Sequence, residues 1–194
     1  MRKRLQRLTS HQQLTKRFPV LSMEKVPKFD KEKWVLKVDG LVEENLRLTY
    51  NELHELPKTG ITHDFHCITG WTLPDTQWKG VSIKTLAKMA KMKPETSHVS
   101  FYCMSPYSTA LTLEEAFDET VLLAYDFDNK PLEPDHGFPL RLVVPKKWAY
   151  KSAKWVDHIR FLDKLELGYW EQRGYTQEAE IDPGVIKEVE EQKK

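Results

Sequence analysis

The chain has 194 residues, of which 40% are hydrophobic and 11% aromatic, with 30 basic and 29 acidic residues and a formal charge of +1. This composition favours a folded core over disorder, and the length suits one domain with or without a tail. The balanced charge argues against a general nucleic-acid or membrane-surface binder.

The N-terminal residues 1–16 are basic and polar, and no apolar run follows them. They lack the hydrophobic region of a secretory signal, and no run elsewhere approaches the roughly 20 apolar residues that cross a bilayer. We expect a polar arm over residues 1–16 and no membrane span. The two cysteines, Cys67 and Cys103, do not make a disulfide framework, which favours a reducing, cytoplasmic location.

The first half of the chain contains one strand pattern and two helix patterns. Residues 34–40 alternate apolar and polar side chains and end in Asp-Gly, which predicts a strand closed by a turn. Thr49 and Glu52 form a capping box, so a short helix is predicted to begin there. Residues 82–92 place apolar side chains at helical spacing and predict a second helix.

The second half predicts a third helix and three strands. Thr112 and Glu115 form another capping box. Three apolar runs, at residues 121–127, 140–144 and 156–162, predict strands, and Pro and Gly residues separate them. Helices and strands mix without strict alternation, which predicts an α+β fold with a mixed β-sheet and flanking helices.

The domain boundaries follow from these patterns. The predicted domain covers residues 17–177, after the polar arm. The last residues, 178–194, are rich in charge and suit either an amphipathic arm or a disordered end.

One string combines an unusual set of metal-binding side chains. Residues 63–71 read HDFHCITGW. The thiolate of Cys67 is a soft ligand for soft or redox-active metals, and histidines beside a thiol can lower its pKa. The alternative is a strand end with a buried cysteine and two incidental histidines.

Two further strings offer cationic side chains. Residues 135–141 read DHGFPLR, in which His136 and Arg141 could face a ligand, and arginine suits phosphates and planar heterocycles. Residues 145–155 read PKKWAYKSAKW, whose lysine and serine side chains would make a phosphate cradle. The alternatives are an exposed turn for the first string, and a solvated basic loop or a nucleic-acid patch for the second. The near-neutral charge of the chain counts against nucleic acid.

The fourth string is aromatic and reads GYWEQRGY at residues 168–175. Aromatic side chains serve packing more often than catalysis. However, Tyr175 follows a glycine and an arginine closely, and could reach into a site as a proton donor.

Together, the four strings resemble the molybdenum domain of the sulfite oxidase family, in the family's order and approximate spacing. The resemblance covers residues 17–175, and it is closest to small single-domain bacterial members and to methionine-sulfoxide-reducing catalytic subunits. It implies the fold of the family's molybdenum domain and a molybdenum–molybdopterin cofactor. It also implies an oxidoreductase that performs two-electron oxygen-atom transfer on a small oxyanion, sulfoxide or N-oxide.

The resemblance also implies site residues. Cys67 stands at the position of the cysteine that ligates molybdenum, and Tyr175 at that of the active-site tyrosine. The positions that would contact the cofactor are Arg17, Phe18, His136, Arg141, Ser152, Ala153 and Lys154.

Departures from the family concern the substrate and the electron partner. Sulfite oxidases place arginines near the metal where this chain has Thr15 and Thr72, and a sulfite dianion would lose charge-assisted binding there. His66 and Arg173 remain as possible cations. We therefore expect a small-molecule substrate of lower charge than sulfite. The family's haem and dimerisation domains are not found in the sequence, so a separate electron-transfer protein is expected.

Two other functions compete with this one. A zinc-binding module would use His63, His66 and Cys67, with Cys103 as a further candidate, although chelation by the adjacent His66 and Cys67 is awkward. The other alternative is a cofactor carrier that performs no turnover of its own. Metal content separates the zinc module from the enzyme, and turnover with an artificial electron acceptor separates the carrier from it.

Overall fold

The structure, a computed structural model, describes residues 12–193, so residues 1–11 of the predicted arm lie outside it. Its strands are β1 (Gln13–Leu14), β2 (Val35–Gly40), β3 (Leu46–Thr49), β4 (Thr59–Cys67), β5 (Trp71–Ser82), β6 (His98–Cys103), β7 (Ser108–Thr112), β8 (Leu122–Phe127), β9 (Lys130–Pro131), β10 (Arg141–Val143) and β11 (Val156–Leu162). Its α-helices are α1 (Tyr50–Glu55), α2 (Ile83–Met89), α3 (Leu113–Ala116) and α4 (Pro183–Gln192). Short 3-10 turns lie at Pro134–His136, Ala149–Lys151 and Glu171–Arg173.

The strands form two mixed sheets. In the first sheet β1, β5, β8 and β10 are neighbours in that order, with β4 paired to β5 and β9 paired to β8. The second sheet has the order β3-β2-β11-β6-β7. Strand β1 is parallel to β5 and β11 is parallel to β2, whereas other pairs such as β4 and β5 are antiparallel. The predicted α+β class with mixed strands and flanking helices is confirmed, although the sequence does not indicate the division into two sheets.

Several predicted elements lie where the periodicity placed them. The strand predicted at 156–162 is β11. The strand predicted at 34–40 is β2, in which Leu36 and Val38 are fully buried and Lys37 between them is exposed. Alternating burial of this kind is what a strand with one face against a core produces.

Both predicted capping boxes are formed. The Glu52 amide donates to the Thr49 hydroxyl at 3.3 Å, and the Thr49 amide donates to the Glu52 carboxylate at 2.8 Å. The same two bonds join Thr112 and Glu115, at 3.2 and 2.9 Å. Because each box satisfies amides that a helix start leaves free, α1 and α3 begin at the predicted residues.

The sequence patterns did not indicate the β4–β5 hairpin, which builds much of the site. Pro74 lies inside β5, and a proline usually argues against a strand interior. Here it falls at a register shift, between the pairs His63–Thr76 and Phe65–Leu73, so no ladder hydrogen bond needs its missing N–H.

Two hydrophobic clusters lie on opposite faces of the first sheet. The larger cluster joins the two sheets, because Leu123 and Leu142 of the first pack with Leu36 and Ile159 of the second. The smaller cluster contains the intervening side chains of β8 and β10 together with aromatic residues of the hairpin: Phe65, Leu73, Trp78, Leu122, Ala124, Leu132 and Val143. Since neighbouring side chains of a strand face opposite sides, this second face supplies the floor of the site.

The charged C-terminal segment forms helix α4. The Asp182 carboxylate accepts from the Gly184 amide at 2.7 Å and caps the helix, while Val185 and Val189 are buried. Of the two alternatives for the segment, the structure therefore shows an amphipathic helix over residues 183–192. No helix within residues 12–193 is long and apolar enough to cross a membrane.

Candidate active site

The β4–β5 hairpin presents Cys67 to a cavity. The chain turns after Cys67 through Gly70, whose φ of +99° is a conformation that glycine adopts without strain. The Gly70 amide donates to the Cys67 carbonyl at 3.0 Å. Side chains alternate along β4, so Phe65 and Cys67 line the cavity while His66 does not.

The Cys67 thiol is buried, with a residue exposure of 7%. Burial raises the pKa of Cys67, and hydrogen bonds from Thr69 and the charge of Arg141 lower it by smaller amounts. Its Sγ lies 3.1 Å from the Thr69 Oγ1. A metal binds the thiolate, so metal binding at Cys67 would release this proton.

Arg141, the first residue of β10, places a buried cation against the floor of the cavity. Its guanidinium lies 5.2 Å from the ring centre of Phe18, 5.0 Å from that of Phe65 and 5.8 Å from that of Trp78. Its Nη1 donates to the His136 carbonyl at 2.9 Å. Burial lowers the pKa of Arg141 to about 10.

No acidic side chain among residues 12–193 pairs with the Arg141 charge. Arg141 takes part in none of the ion pairs between side chains of residues 12–193. Its buried Nε also has no hydrogen-bond partner among those residues. Because an unpaired buried cation is costly, this arrangement indicates a site for an anionic ligand.

A second cation and a hydroxyl lie beside Arg141. Lys154 Nζ donates to the carbonyls of Leu21 and Asp135, both at 2.9 Å, and burial lowers its pKa to about 8. Ser152 accepts from the Val144 amide at 3.0 Å, so its own hydroxyl hydrogen can be donated to a ligand. Lysine, serine and arginine at this end of the cavity form the donor set of a phosphate cradle.

His136 is packed as an aromatic ring. It stacks on Phe18 with ring centres 4.2 Å apart and planes 8° apart. Burial, followed by the charge of Arg141, lowers the pKa of His136, which favours the neutral imidazole.

An aromatic wall, made of Tyr107, Tyr150, Trp170 and Tyr175, lines another part of the cavity. Ring centres are 5.1 Å apart for Tyr150 and Tyr175 and 4.8 Å apart for Trp170 and Tyr175. The Tyr107 hydroxyl donates to the Tyr150 carbonyl at 2.5 Å. Tyr150 and Tyr175 also pack with Ile68, the neighbour of Cys67, so the wall lies close to the thiol.

The cavity has a volume of about 350 Å³ and brings together most of the site residues predicted from the sequence. Those that line it are Phe18, Cys67, His136, Arg141, Ser152, Ala153, Lys154 and Tyr175. Arg17 is exposed and does not line the cavity. Phe18 takes the inward position, and the side chain before it faces solvent.

Neither of the two possible cations named from the sequence, His66 and Arg173, faces the cavity. His66 lies on the other face of β4, with Nδ1 2.9 Å from Thr72 Oγ1. Arg173 donates to the Tyr169 carbonyl at 2.8 Å, and its guanidinium lies 3.6 Å from the Tyr169 ring centre. Neither residue lines the cavity.

Thr72 and Thr15 also face away from the cavity. Thr72 is fully buried and donates to Gln12 Oε1 at 3.0 Å, and Gln12 Nε2 donates to the Cys67 carbonyl at 3.2 Å. Thr15 Oγ1 donates to the Thr72 carbonyl at 3.4 Å. These threonines therefore stabilise the turn after Cys67 from the side that faces away from the cavity.

The proposed zinc ligands do not form a cluster. Cys67 and His66 face opposite sides of β4, and Cys103 is a buried core residue of β6. Over residues 12–193, no group of three His, Cys, Asp or Glu side chains could hold a metal ion. The structure therefore does not support the zinc module.

Sequence reasoning missed several residues of the cavity. Tyr107 lies outside the four strings, and burial raises its pKa well above the ordinary value. Phe65 and Trp71 lie inside the first string, where alternation with Cys67 could have identified Phe65 as a cavity residue. The segment at residues 19–24 also supplies part of the cavity lining, and no periodic pattern marked it.

Comparison with known proteins gives one family. The family described as "Oxidoreductase molybdopterin binding domain" matches residues 23–170. "Uncharacterized oxidoreductase YuiH" of Bacillus subtilis is 39% identical over 170 residues, which cover 87% of this chain and 86% of that protein.

More distant relatives are longer proteins. "Protein-methionine-sulfoxide reductase catalytic subunit MsrP" of Gluconobacter oxydans is 30% identical over 78% of this chain and 55% of its own length. "Sulfite oxidase, mitochondrial" of Drosophila melanogaster is 28% identical over 77% of this chain and 31% of its own. The crystal structure of the sulfane dehydrogenase SoxCD from Paracoccus pantotrophus matches with a TM-score of 0.65 and 26% identity, over 72% of this chain and 40% of that one.

Proposed function

Since the chain belongs to the family of molybdopterin-binding oxidoreductase domains, we propose that its cavity holds the cofactor between Cys67 and Lys154. The predicted membership of the sulfite oxidase family, its type of fold and the molybdenum–molybdopterin cofactor are confirmed by these matches. When bound, this cofactor supplies two-electron oxygen-atom transfer.

The observation that carries the placement is the uncompensated cation at Arg141. Its buried Nε has no partner among residues 12–193, and an anionic cofactor would provide one. Lys154 and Ser152 would hold the cofactor's phosphate, and Ala153 would supply backbone contact. Phe18 and His136 present stacked rings to a planar pterin. The Cys67 thiolate would be the protein ligand of molybdenum, a role that suits a soft donor.

Cofactor binding should weaken as the pH rises past about 8, the pKa that burial gives Lys154. Below that pH the Lys154 ammonium is present to pair with a phosphate, and above it Lys154 loses its charge. A charged hydrogen bond contributes roughly 1.5–3 kcal/mol, so we expect a loss of affinity of about tenfold or more. Retained pterin is measured after dialysis on either side of this pH. Lys154→Arg should remove the dependence, because arginine stays protonated. If Lys154→Arg lost as much pterin as wild type when the pH rises, Lys154 would not have the proposed role in binding the phosphate.

Tyr175 is proposed as the proton donor at the reacting oxygen. The Tyr107 hydroxyl is already committed to the Tyr150 carbonyl, whereas Tyr175 lines the cavity without that constraint. Tyr175→Phe should lower kcat by about 10²-fold while the cofactor content is retained. The measurement is steady-state kinetics per molybdenum, with Tyr107→Phe as the matched comparison. A larger loss of kcat in Tyr107→Phe would transfer the role to Tyr107.

The proposed substrate is a sulfoxide or another neutral oxide. Among residues 12–193, the cations that line the cavity are Arg141 and Lys154, and both are taken by the cofactor in this proposal. The lowered pKa of His136 favours its neutral form. The aromatic wall beside Cys67 offers rings and no positive charge. A divalent anion would lose its hydration there without compensation, whereas a neutral oxide would not.

The test of this specificity is steady-state kinetics of the molybdenum-loaded protein with sulfite, a sulfoxide and an N-oxide, and a dye as electron partner. We expect kcat/KM for sulfite far below that for the best neutral oxide. A kcat/KM for sulfite of about 10⁷–10⁸ M⁻¹s⁻¹, near the upper range of ordinary enzymes, would contradict the proposal.

A separate electron-transfer protein is proposed as the partner. One relative is named as a catalytic subunit, and this chain spans about half of that protein's length. The proposal would be supported if a purified electron carrier from the organism that encodes this chain sustained turnover at the rate measured with the dye. The cytoplasmic location expected from the composition stays a prediction.

A further inference from the structure

A buried ion pair lies behind the aromatic wall. The side chain of Lys151 is 0% exposed and that of Glu171 is 2% exposed, and the Lys151 ammonium donates to the Glu171 carboxylate. Neither residue lines the cavity, and neither has a role in the proposed chemistry. The pair is therefore a buried charged feature that the oxygen-transfer site does not explain.

The pair is anchored to one strand of the second sheet. Lys151 Nζ also donates to the Ala110 carbonyl at 3.0 Å, and the Thr109 hydroxyl donates to Glu171 Oε1 at 3.4 Å. Both residues of β7 are buried. The two charges are thus fixed to a rigid element as well as to each other.

Each partner belongs to a turn that carries residues of the cavity. Lys151 lies between Tyr150 and Ser152 and closes the 3-10 turn Ala149–Lys151. Glu171 follows Trp170 and opens the turn Glu171–Arg173, after which the Tyr175 amide donates to the Trp170 carbonyl at 3.1 Å. The ion pair therefore joins the backbone of the phosphate cradle to that of the aromatic wall.

Gly168 allows this close approach. A Cβ at this position would lie 2.6 Å from the Ser108 carbonyl oxygen and 2.7 Å from Glu171 Oε2. Any other residue would push the Glu171 turn away from β7. Gly168 therefore allows the Glu171 turn to pack closely against β7, which brings the Glu171 carboxylate to Lys151.

Stability alone does not account for such a pair. Taking two charges out of water opposes the gain from their attraction, and well-packed apolar residues often replace a buried pair without loss. We propose that the Lys151–Glu171 ion pair is a positioning device, which fixes the spacing between Tyr150 and Trp170 and so sets the affinity for substrate. The substrate part of this inference rests on the proposed function.

The test compares Lys151→Met/Glu171→Leu with wild type and with a matched control, Lys91→Met/Glu44→Leu, which removes an exposed ion pair elsewhere. In the buried double variant, KM for the sulfoxide should rise about tenfold, and this change should exceed any loss of kcat per molybdenum or of pterin content. The control should leave all of these unchanged. An unchanged KM in the buried double variant would overturn the proposal, whether or not pterin is lost.

A second measurement does not depend on turnover. Amide hydrogen exchange of the apoprotein should accelerate in both turns of the double variant, at the Lys151 and Ser152 amides and at the Gly174 and Tyr175 amides, which are hydrogen-bonded in the structure. Wild-type protection in both turns would reject the positioning role. If wild type turns over no neutral oxide but exchange accelerates as expected, the proposed substrate fails and the positioning role stands.

The double variant could fail to fold, and a pair of single variants covers that case. Glu171→Gln keeps the hydrogen bonds of the carboxylate, whereas Glu171→Leu removes them. Because Glu171→Gln leaves the buried Lys151 ammonium without a counter-charge, the proposal expects its KM and exchange to lie between those of wild type and those of Glu171→Leu. Equal values in the two variants would contradict it.

Discussion

Cys67→Ser is expected to abolish turnover while the fold survives. The sulfur is the soft donor of the cavity, and a serine hydroxyl does not replace a thiolate as a ligand for a redox-active metal. The loss should exceed the ~10–100-fold that changes around a metal ligand usually cost. Dye-linked turnover per chain measures the effect, and the melting temperature of the apoprotein reports whether the fold is intact.

Cys103→Ser is the matched control for this change. Cys103 lies in the main core, and burial raises its pKa, so it is an inert thiol. Its replacement leaves a buried hydroxyl and should cost about 1–3 kcal/mol of stability. Turnover per folded chain should stay close to wild type. Loss of the metal in Cys103→Ser and its retention in Cys67→Ser would contradict the assignment.

Arg141→Met is expected to leave a folded protein that holds little cofactor. The substitution removes a charged donor, which contributes roughly 1.5–3 kcal/mol, so cofactor affinity should fall about 10–100-fold. In the apoprotein the same change removes an uncompensated buried charge and places a thioether among Phe18, Phe65 and Trp78. The melting temperature of the apoprotein should therefore not fall.

The readouts for Arg141→Met are pterin content, molybdenum content and turnover per molybdenum. Occupancy should fall more than turnover per molybdenum. Arg47→Met, at an exposed position of β3, should change none of the three. Full occupancy with lost turnover would move Arg141 from cofactor binding to the chemistry.

The sequence could predict those parts of the fold that depend on local patterns. Alternation marked β2 and β11, and the capping boxes at Thr49 and Thr112 marked the starts of two helices. The four strings also contained Cys67 and the residues of the phosphate cradle, Arg141, Ser152 and Lys154, because residues of one motif lie close together in the chain.

The rest of the site depends on contacts between distant residues. Lys151 and Glu171 are 20 residues apart, and nothing in either string shows that they meet. The direction of a side chain also depends on register, which is why His66, next to Cys67, turned out to face away from the cavity. Tyr107 enters the cavity from a segment without a motif, through the pairing of β6 with β7.

X-ray absorption at the molybdenum edge tests the central claim, that Cys67 binds the metal of the cofactor in this cavity. The protein is purified from a molybdopterin-competent host, together with Cys67→Ser and Cys103→Ser. We expect molybdenum equimolar with wild-type chain, and a sulfur shell that loses one ligand in Cys67→Ser and none in Cys103→Ser. A sulfur shell unchanged by Cys67→Ser, or zinc in place of molybdenum, would contradict the account.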